Sequence, residues 1–85
     1  MPPVSPPTSV YVLRSLKDGK LYIGMTTDLQ RRLQEHNHGK NPSTRHRRPL
    51  VLLHTEVYPT RAEAAKRERF LKSGPGHKFL KTILT

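Results

Sequence analysis

The stretch KLYIGMTTDLQRRLQEH, residues 20–36, opens as a strand and closes as a helix. Its strand portion, residues 21–25, follows KDGK, whose Asp18-Gly19 pair is a strong hairpin signal. The strand before that turn is VYVLRSL, residues 10–16, rich in β-branched and aromatic side chains. Side chains alternate faces along a strand, so Tyr11 goes with Leu13 and Tyr22 with Gly24. A two-residue loop on Asp18-Gly19 sets Tyr22 opposite Ser15 and puts both tyrosines on one side of the ribbon. A loop longer by two residues keeps that parity, and an odd bulge breaks it. Beyond the strand, Thr27 and Gln30 have the form of a capping box, and Leu29 and Leu33 make an i, i+4 apolar pair. Together they predict a helix over residues 28–36, on which Arg32 and His36 face the same way.

Gly39 ends that helix, and HGKNPSTRHRRP follows, a loop whose cations are Lys40, Arg45, Arg47 and Arg48. Loops of about a dozen residues are uncommon in small domains unless they serve a function or are disordered. Residues 50–58 read as a third strand ended by Pro59. Thr60 and Glu63 form a second capping box, for a helix reaching about Ser73, where Gly74 and Pro75 stop it. A short last helix over residues 78–84 packs Phe79, Leu80 and Ile83 on the core. The order β-β-α-β-α-α, without an internal repeat, predicts an α+β fold: a small three-stranded antiparallel sheet flanked by helices.

The chain has 85 residues, enough for one small domain that buries about 60% of its unfolded surface. MPPVSPPTS, residues 1–9, is Pro-rich and uncharged and reads as a flexible leader, so the folded domain is predicted over residues 10–85. Apolar runs are short, as in LVLL at 50–53, and the N-terminus lacks the apolar centre of a signal peptide; a soluble, cytoplasmic protein without a membrane partner is the expectation. Without cysteine there is no disulfide, no Cys-based zinc site and no thiol nucleophile. Sixteen Lys and Arg against six Asp and Glu give +10, which makes nucleic acid, DNA or RNA, the default partner. An acidic membrane surface, or solubility alone, is the competing use of such charge.

The carboxylates are few enough to take singly. Asp18 belongs to a turn, Asp28 favours a helix N-terminus, Glu63 serves a capping box, and Glu35 and Glu56 fall on a solvated helix face and a strand edge. Glu68 differs, because Ala64, Ala65 and Leu71 are its helical neighbours and it projects toward the sheet. It is either an i, i+4 ion pair with Lys72 or a ligand for a hard cation such as Mg²⁺. One Glu suffices for one ion, not for a two-metal site. Tyr11 and Tyr22, taken alone, read first as half-buried sheet aromatics and second as phenols made reactive by nearby positive charge. Arg32 is a surface helix arginine or a source of that charge, and His36 is a helix C-terminal cation or part of a site. The five histidines match no common zinc spacing.

These residues resemble the GIY-YIG endonuclease superfamily. Its first motif corresponds to Ser9-Val10-Tyr11, its second stands intact as Tyr22-Ile23-Gly24, and Arg32 and the His36-Asn37 helix end fall at fitting distances. Glu68, in EAAKRERFLK, sits where the family has its metal-binding glutamate. The resemblance covers residues 10–84 and is greatest to small stand-alone proteins related to the catalytic domain of the excision-repair nuclease subunit, for which YVLRS, LYIGMT, RRLQEHN and RRPLVLLH are characteristic. The chain departs from the pattern at Ser9 and Val10 of the first motif. It departs again at Met25, which replaces a lysine of the excision-repair relative, and at Leu80, which replaces an asparagine.

The resemblance implies hydrolysis of a DNA phosphodiester with one divalent ion, Mg²⁺ or Mn²⁺, held by Glu68. Tyr11 or Tyr22 takes the proton of the attacking water, Tyr11 by preference, and the other orients it. Arg32 stabilises transition-state charge, His36 positions water or phosphate or assists proton transfer, and Gly24 is a structural motif residue. Lys40, Arg45, Arg47 and Arg48 of the loop, with Lys66, Arg67, Arg69 and Lys72 of the second long helix, grip the nucleic acid. With no separate DNA-reading domain, specificity is low or directed by DNA structure. Two other classes compete: a binding module of the same fold that does not cut, and an accessory protein of a ribosome or repair complex.

Overall fold

In the computed structural model, which describes residues 6–84, the Asp18-Gly19 turn joins β1 (Thr8–Ser15) to β2 (Leu21–Thr26). Gly19 adopts φ +73°, its N–H bonds the Ser15 carbonyl at 2.9 Å, and the Asp18 carboxylate accepts from the Lys20 N–H at 2.9 Å. The pairing is Arg14 with Leu21, Leu13 with Tyr22 and Tyr11 with Gly24. Tyr22 therefore lies opposite Leu13, not opposite Ser15, because the connection spans residues 16–19, two more than the minimal loop. Two is an even shift, so the tyrosines stay on one face.

β3 (Leu50–Tyr58) pairs antiparallel with the other edge of β1, giving the order β2-β1-β3. A bulge between Val12 and Leu13 shifts that register, so Val12 faces His54 and Leu13 faces Leu52. Central β1 is covered on both sides, which is why it carries a continuous apolar run. One face packs Tyr11, Leu13 and Leu50 with Tyr22 and with Leu29 and Leu33 of α1 (Leu29–Asn37). The opposite face packs Val10, Val12 and Ile23 with Ala64 and Leu71 of α2 (Arg61–Leu71) and Leu80 of α3 (Gly74–Leu84).

Several boundaries differ from the sequence expectation. β1 begins at Thr8, ahead of Val10, since Thr8 and Ser9 pair with Tyr58 and Val57; the first five residues of the predicted leader lie outside the described residues. α1 is capped by Asp28 rather than Thr27: the Asp28 carboxylate accepts from the Arg31 N–H at 3.1 Å, while the Thr26 hydroxyl accepts from the Asp28 N–H at 3.1 Å. At α2, Thr60 is the cap and accepts from the Glu63 N–H at 3.2 Å. α3 starts at Gly74, a turn earlier than predicted. Proline fits the first turn of a helix, where its missing N–H has no partner to lose, and Ser73 accepts from the Gly76 N–H at 3.3 Å. The connection after α1 is ordered rather than featureless: it holds a 3₁₀ turn, Arg45–Arg47, and buries Asn41 and Thr44.

Candidate active site

The hairpin parity sets Tyr11 and Tyr22 side by side, ring centroids 6.3 Å apart, beneath α1. One turn apart on α1, Arg32 and His36 both reach the Tyr11 hydroxyl: Arg32 Nε donates to it at 3.3 Å, and His36 Nε2 lies 3.0 Å away. His36 stands edge-on to both rings, 5.8 Å from Tyr11 and 5.0 Å from Tyr22. Its other nitrogen, Nδ1, is 2.8 Å from Thr44 Oγ1 in the loop. Gly24 makes this packing fit, because a Cβ there would fall 2.5 Å from the Tyr11 hydroxyl and 3.1 Å from the Tyr22 ring. The requirement at Gly24 is space, not backbone angle.

Burial differs sharply within the group. Tyr11 is 1% exposed and His36 and Thr44 are fully buried, whereas Tyr22 is half-buried and its hydroxyl has no hydrogen-bond partner among the described residues. Burial pushes the Tyr11 phenol above its ordinary value; the Arg32 hydrogen bond pulls it back, and the charges of Tyr22 and Glu68 push it up. For His36, burial and then the Arg32 charge hold the imidazole below its ordinary value, so the buried ring is neutral and not the helix C-terminal cation that its position allows. Arg32 is held more firmly protonated, chiefly by its bond to Tyr11. Its Nη1 pairs with Glu35 at 3.2 Å, which leaves Nη2 for a ligand. A polar cleft of about 150 Å³ opens beside it, lined by Thr26, Thr27, Asp28, Arg31, Arg32 and Glu35. A larger hollow of about 510 Å³ lies between the end of β3 and α2, lined in part by Tyr58, and none of Tyr11, Tyr22, Arg32, His36 or Glu68 lines it.

Glu68 comes from α2, across the sheet. Its side chain is 20% exposed, and Lys72 Nζ stands 3.5 Å from the carboxylate, the i, i+4 pair foreseen from spacing. Its charge is felt at the Tyr11 phenol, yet it makes no hydrogen bond to Tyr11, Tyr22, Arg32 or His36 among the described residues. No group of three or more His, Cys, Asp and Glu side chains forms a metal cluster among them either. One partly exposed carboxylate fits an ion that takes most of its ligands from water and phosphate.

The eight cations expected to grip nucleic acid divide in two. Lys40, Arg45, Arg48, Lys66, Arg69 and Lys72 are exposed. Arg47 and Arg67 are not available in that way. Arg47 Nε bonds Asp18 at 3.2 Å and fastens the loop to the hairpin. Arg67 reaches Glu56 at 2.8 and 3.2 Å and stacks over Phe70 and Phe79. Glu56, read from sequence as a solvated edge residue, also receives Tyr58 at 2.6 Å and contacts His54 at 2.8 Å. Thr44 escaped notice for a similar reason, and Asn37 was noticed only as part of the helix end. Thr44 sat in a loop read only for charge, and Asn37 clamps β3 by bonding both backbone groups of Leu50, at 3.0 and 2.9 Å.

The GIY-YIG catalytic domain model matches residues 7–77. The chain belongs to the GIY-YIG family. This GIY-YIG protein is 39% identical over 75 residues to a UPF0213 protein of Staphylococcus saprophyticus, covering 87% of the chain and 90% of that relative. It is 47% identical over 64 residues to a UPF0213 protein of Halobacterium salinarum, covering 74% and 82%. The solution NMR structure of a UPF0213 protein from Bacillus halodurans matches with a TM-score of 0.56 at 36% identity, over 91% of the chain and 84% of that structure. The family's catalytic domain suggests nuclease activity and a nucleic-acid substrate. No helix among the described residues is long and apolar enough to cross a membrane.

Proposed function

We propose that the protein is a metal-dependent endonuclease that hydrolyses DNA phosphodiester bonds with one divalent ion and with low or structure-directed specificity. The observation that carries this reading is the Tyr11 hydroxyl held 3.3 Å from Arg32 and 3.0 Å from His36, with Tyr22 on the same face. Glu68 would hold Mg²⁺ or Mn²⁺, which when bound polarises the phosphoryl oxygen and favours departure of the 3′ oxygen. Tyr22, half-buried and unbonded at its hydroxyl, first gives up its own proton to solvent and, as the phenolate, takes the proton of the attacking water. That assignment departs from the preference for Tyr11, whose oxygen is buried and already engaged. Tyr11 instead fixes Arg32 and His36, and the free Nη2 of Arg32 meets the charge that grows on the phosphate. Neutral His36 keeps the Tyr11 proton within the group. Exposed Lys40, Arg45, Arg48, Lys66, Arg69 and Lys72 contact the backbone, which favours affinity over sequence reading. On the likeness to the excision-repair nuclease subunit, cytoplasmic DNA repair is the inferred setting.

A binding module that does not cut is the second reading, and the Glu68–Lys72 pair favours it. Cleavage of single-stranded, duplex and branched DNA with Mg²⁺ or Mn²⁺ separates the two. Wild type should cut at least one substrate, and Glu68→Ala should lose about a hundredfold or more while still binding. Equal cleavage by both proteins, or none by wild type on any substrate, removes the nuclease.

A further inference from the structure

Three buried groups stand in line: the Tyr11 hydroxyl, the His36 ring and the Thr44 hydroxyl, spaced 3.0 and 2.8 Å apart. A neutral imidazole carries one N–H, so one end of this line donates into the ring and the other accepts from it. Two facts choose the direction. Arg32 can only donate, and its Nε already points at the Tyr11 oxygen, so an N–H from His36 would set a second donor on the same atom. A phenol is also the stronger acid of the two hydroxyls, hence the better donor, and an aliphatic oxygen is the better acceptor.

We propose that Thr44 is a positioning residue that locks His36 in the Nδ1–H tautomer, so that Nε2 accepts the hydrogen bond of the Tyr11 hydroxyl. His36 Nδ1–H donates to Thr44 Oγ1, and the Tyr11 O–H donates to His36 Nε2. The proton stays on the Tyr11 oxygen, and Nε2 holds that O–H in a direction that leaves the oxygen's lone pairs for the Arg32 Nε–H. The tautomer itself is a property of the folded protein; only its catalytic consequence rests on the nuclease reading. Thr44 comes from the connection after α1, so the loop is tied to the site by more than its charges.

Long-range proton–nitrogen NMR of His36 in the free protein reads the tautomer directly, without turnover. Wild type should show a protonated Nδ1 and a bare Nε2 at a pH where the ring is neutral. Thr44→Val, which keeps shape and removes the acceptor, should mix or invert the tautomers, and Thr44→Ser should restore the wild-type pattern. On DNA, Thr44→Val should lose about fivefold or more in kcat, the worth of one hydrogen bond, and Thr44→Ser should recover it. A protonated Nε2 in wild type overturns the proposal even where Thr44→Val fails to fold, and so does a Thr44→Val spectrum identical to wild type. Absence of cleavage by wild type on every DNA sinks the nuclease reading alone, because the tautomer stands on its own spectrum.

Discussion

A methyl group at Gly24 has nowhere to go. The Tyr11 hydroxyl lies 2.5 Å from its place and the Tyr11 ring carbon Cζ 2.7 Å, and Tyr11 is wedged against Arg32 and His36. Gly24→Ala must displace the phenol by some tenths of an ångström. Displacements of that order at a site cost far more in rate than in stability, since the bonds to be kept are directional. We expect the variant to lose about 1–3 kcal/mol of stability from overpacking and tenfold or more in DNA cleavage. Urea unfolding beside a cleavage assay checks it, and unchanged cleavage would show that the Tyr11 position does not matter. The need for a glycine was legible in the YIG tripeptide, and so was the shared face of the tyrosines, because strand parity survives an even change in loop length. Which tyrosine reaches solvent was not legible: that depends on α1 lying over Tyr11, a tertiary fact absent from the alternation of residues. The same holds for Thr44, whose partner stands eight residues away across a turn that no periodicity describes.

Between elements, besides the Tyr11 bonds to Arg32 and His36, the sheet is tied to its helices by two polar contacts of opposite legibility. Asn37 bonds the backbone of Leu50, and its place in a recognisable helix end made it visible as a motif residue, though not as a clamp. Glu56 joins β3 to α2 through Arg67 and looked like an ordinary edge carboxylate, since a residue at one end of a long-range pair carries no local mark. Burial pushes its carboxyl up, but the hydrogen bonds from Arg67, Tyr58 and His54 outweigh that and hold it at about 2, against an ordinary 4.5. The sign follows from proton binding: the unfolded chain takes up the proton first as pH falls. The stability that Glu56 contributes is therefore full above pH 4.5 and lost as pH drops toward about 2. Arg67→Ala removes the main partner of a carboxylate that is 17% exposed. Discounted for solvent screening, the loss should be about 2 kcal/mol at neutral pH and should shrink below pH 4.5, where the wild type weakens as well. Urea unfolding of both proteins at neutral and acid pH tests this, and a difference that does not narrow in acid would mean that Arg67 acts through its stacking on Phe70 and Phe79.

Over the whole molecule the formal charge of +10 was plain from composition, but its useful part was not. Arg47 and Arg67 count toward the total, yet each is bound to a carboxylate of this chain, Asp18 or Glu56. Lys40 and Arg45 are exposed on the loop whose Thr44 touches His36. Each cation that neutralises a duplex phosphate releases counterions and steepens the fall of affinity with salt by about 0.9 in log–log slope. A Lys40→Ala, Arg45→Ala double variant should therefore flatten the slope by about 1.8 if each residue meets one phosphate. Arg47→Ala, by contrast, should leave the slope unchanged and lower the thermal midpoint, because it frees the loop from the hairpin rather than removing a phosphate contact. Binding titrations of duplex DNA over a series of salt concentrations, with a melting curve for each protein, distinguish the two effects. If Arg47→Ala flattens the slope as much as the double variant, its bond to Asp18 gives way when DNA binds and the whole loop acts as one electrostatic surface. If neither variant changes the slope, the nucleic acid lies elsewhere, and the cations of α2 become the place to look.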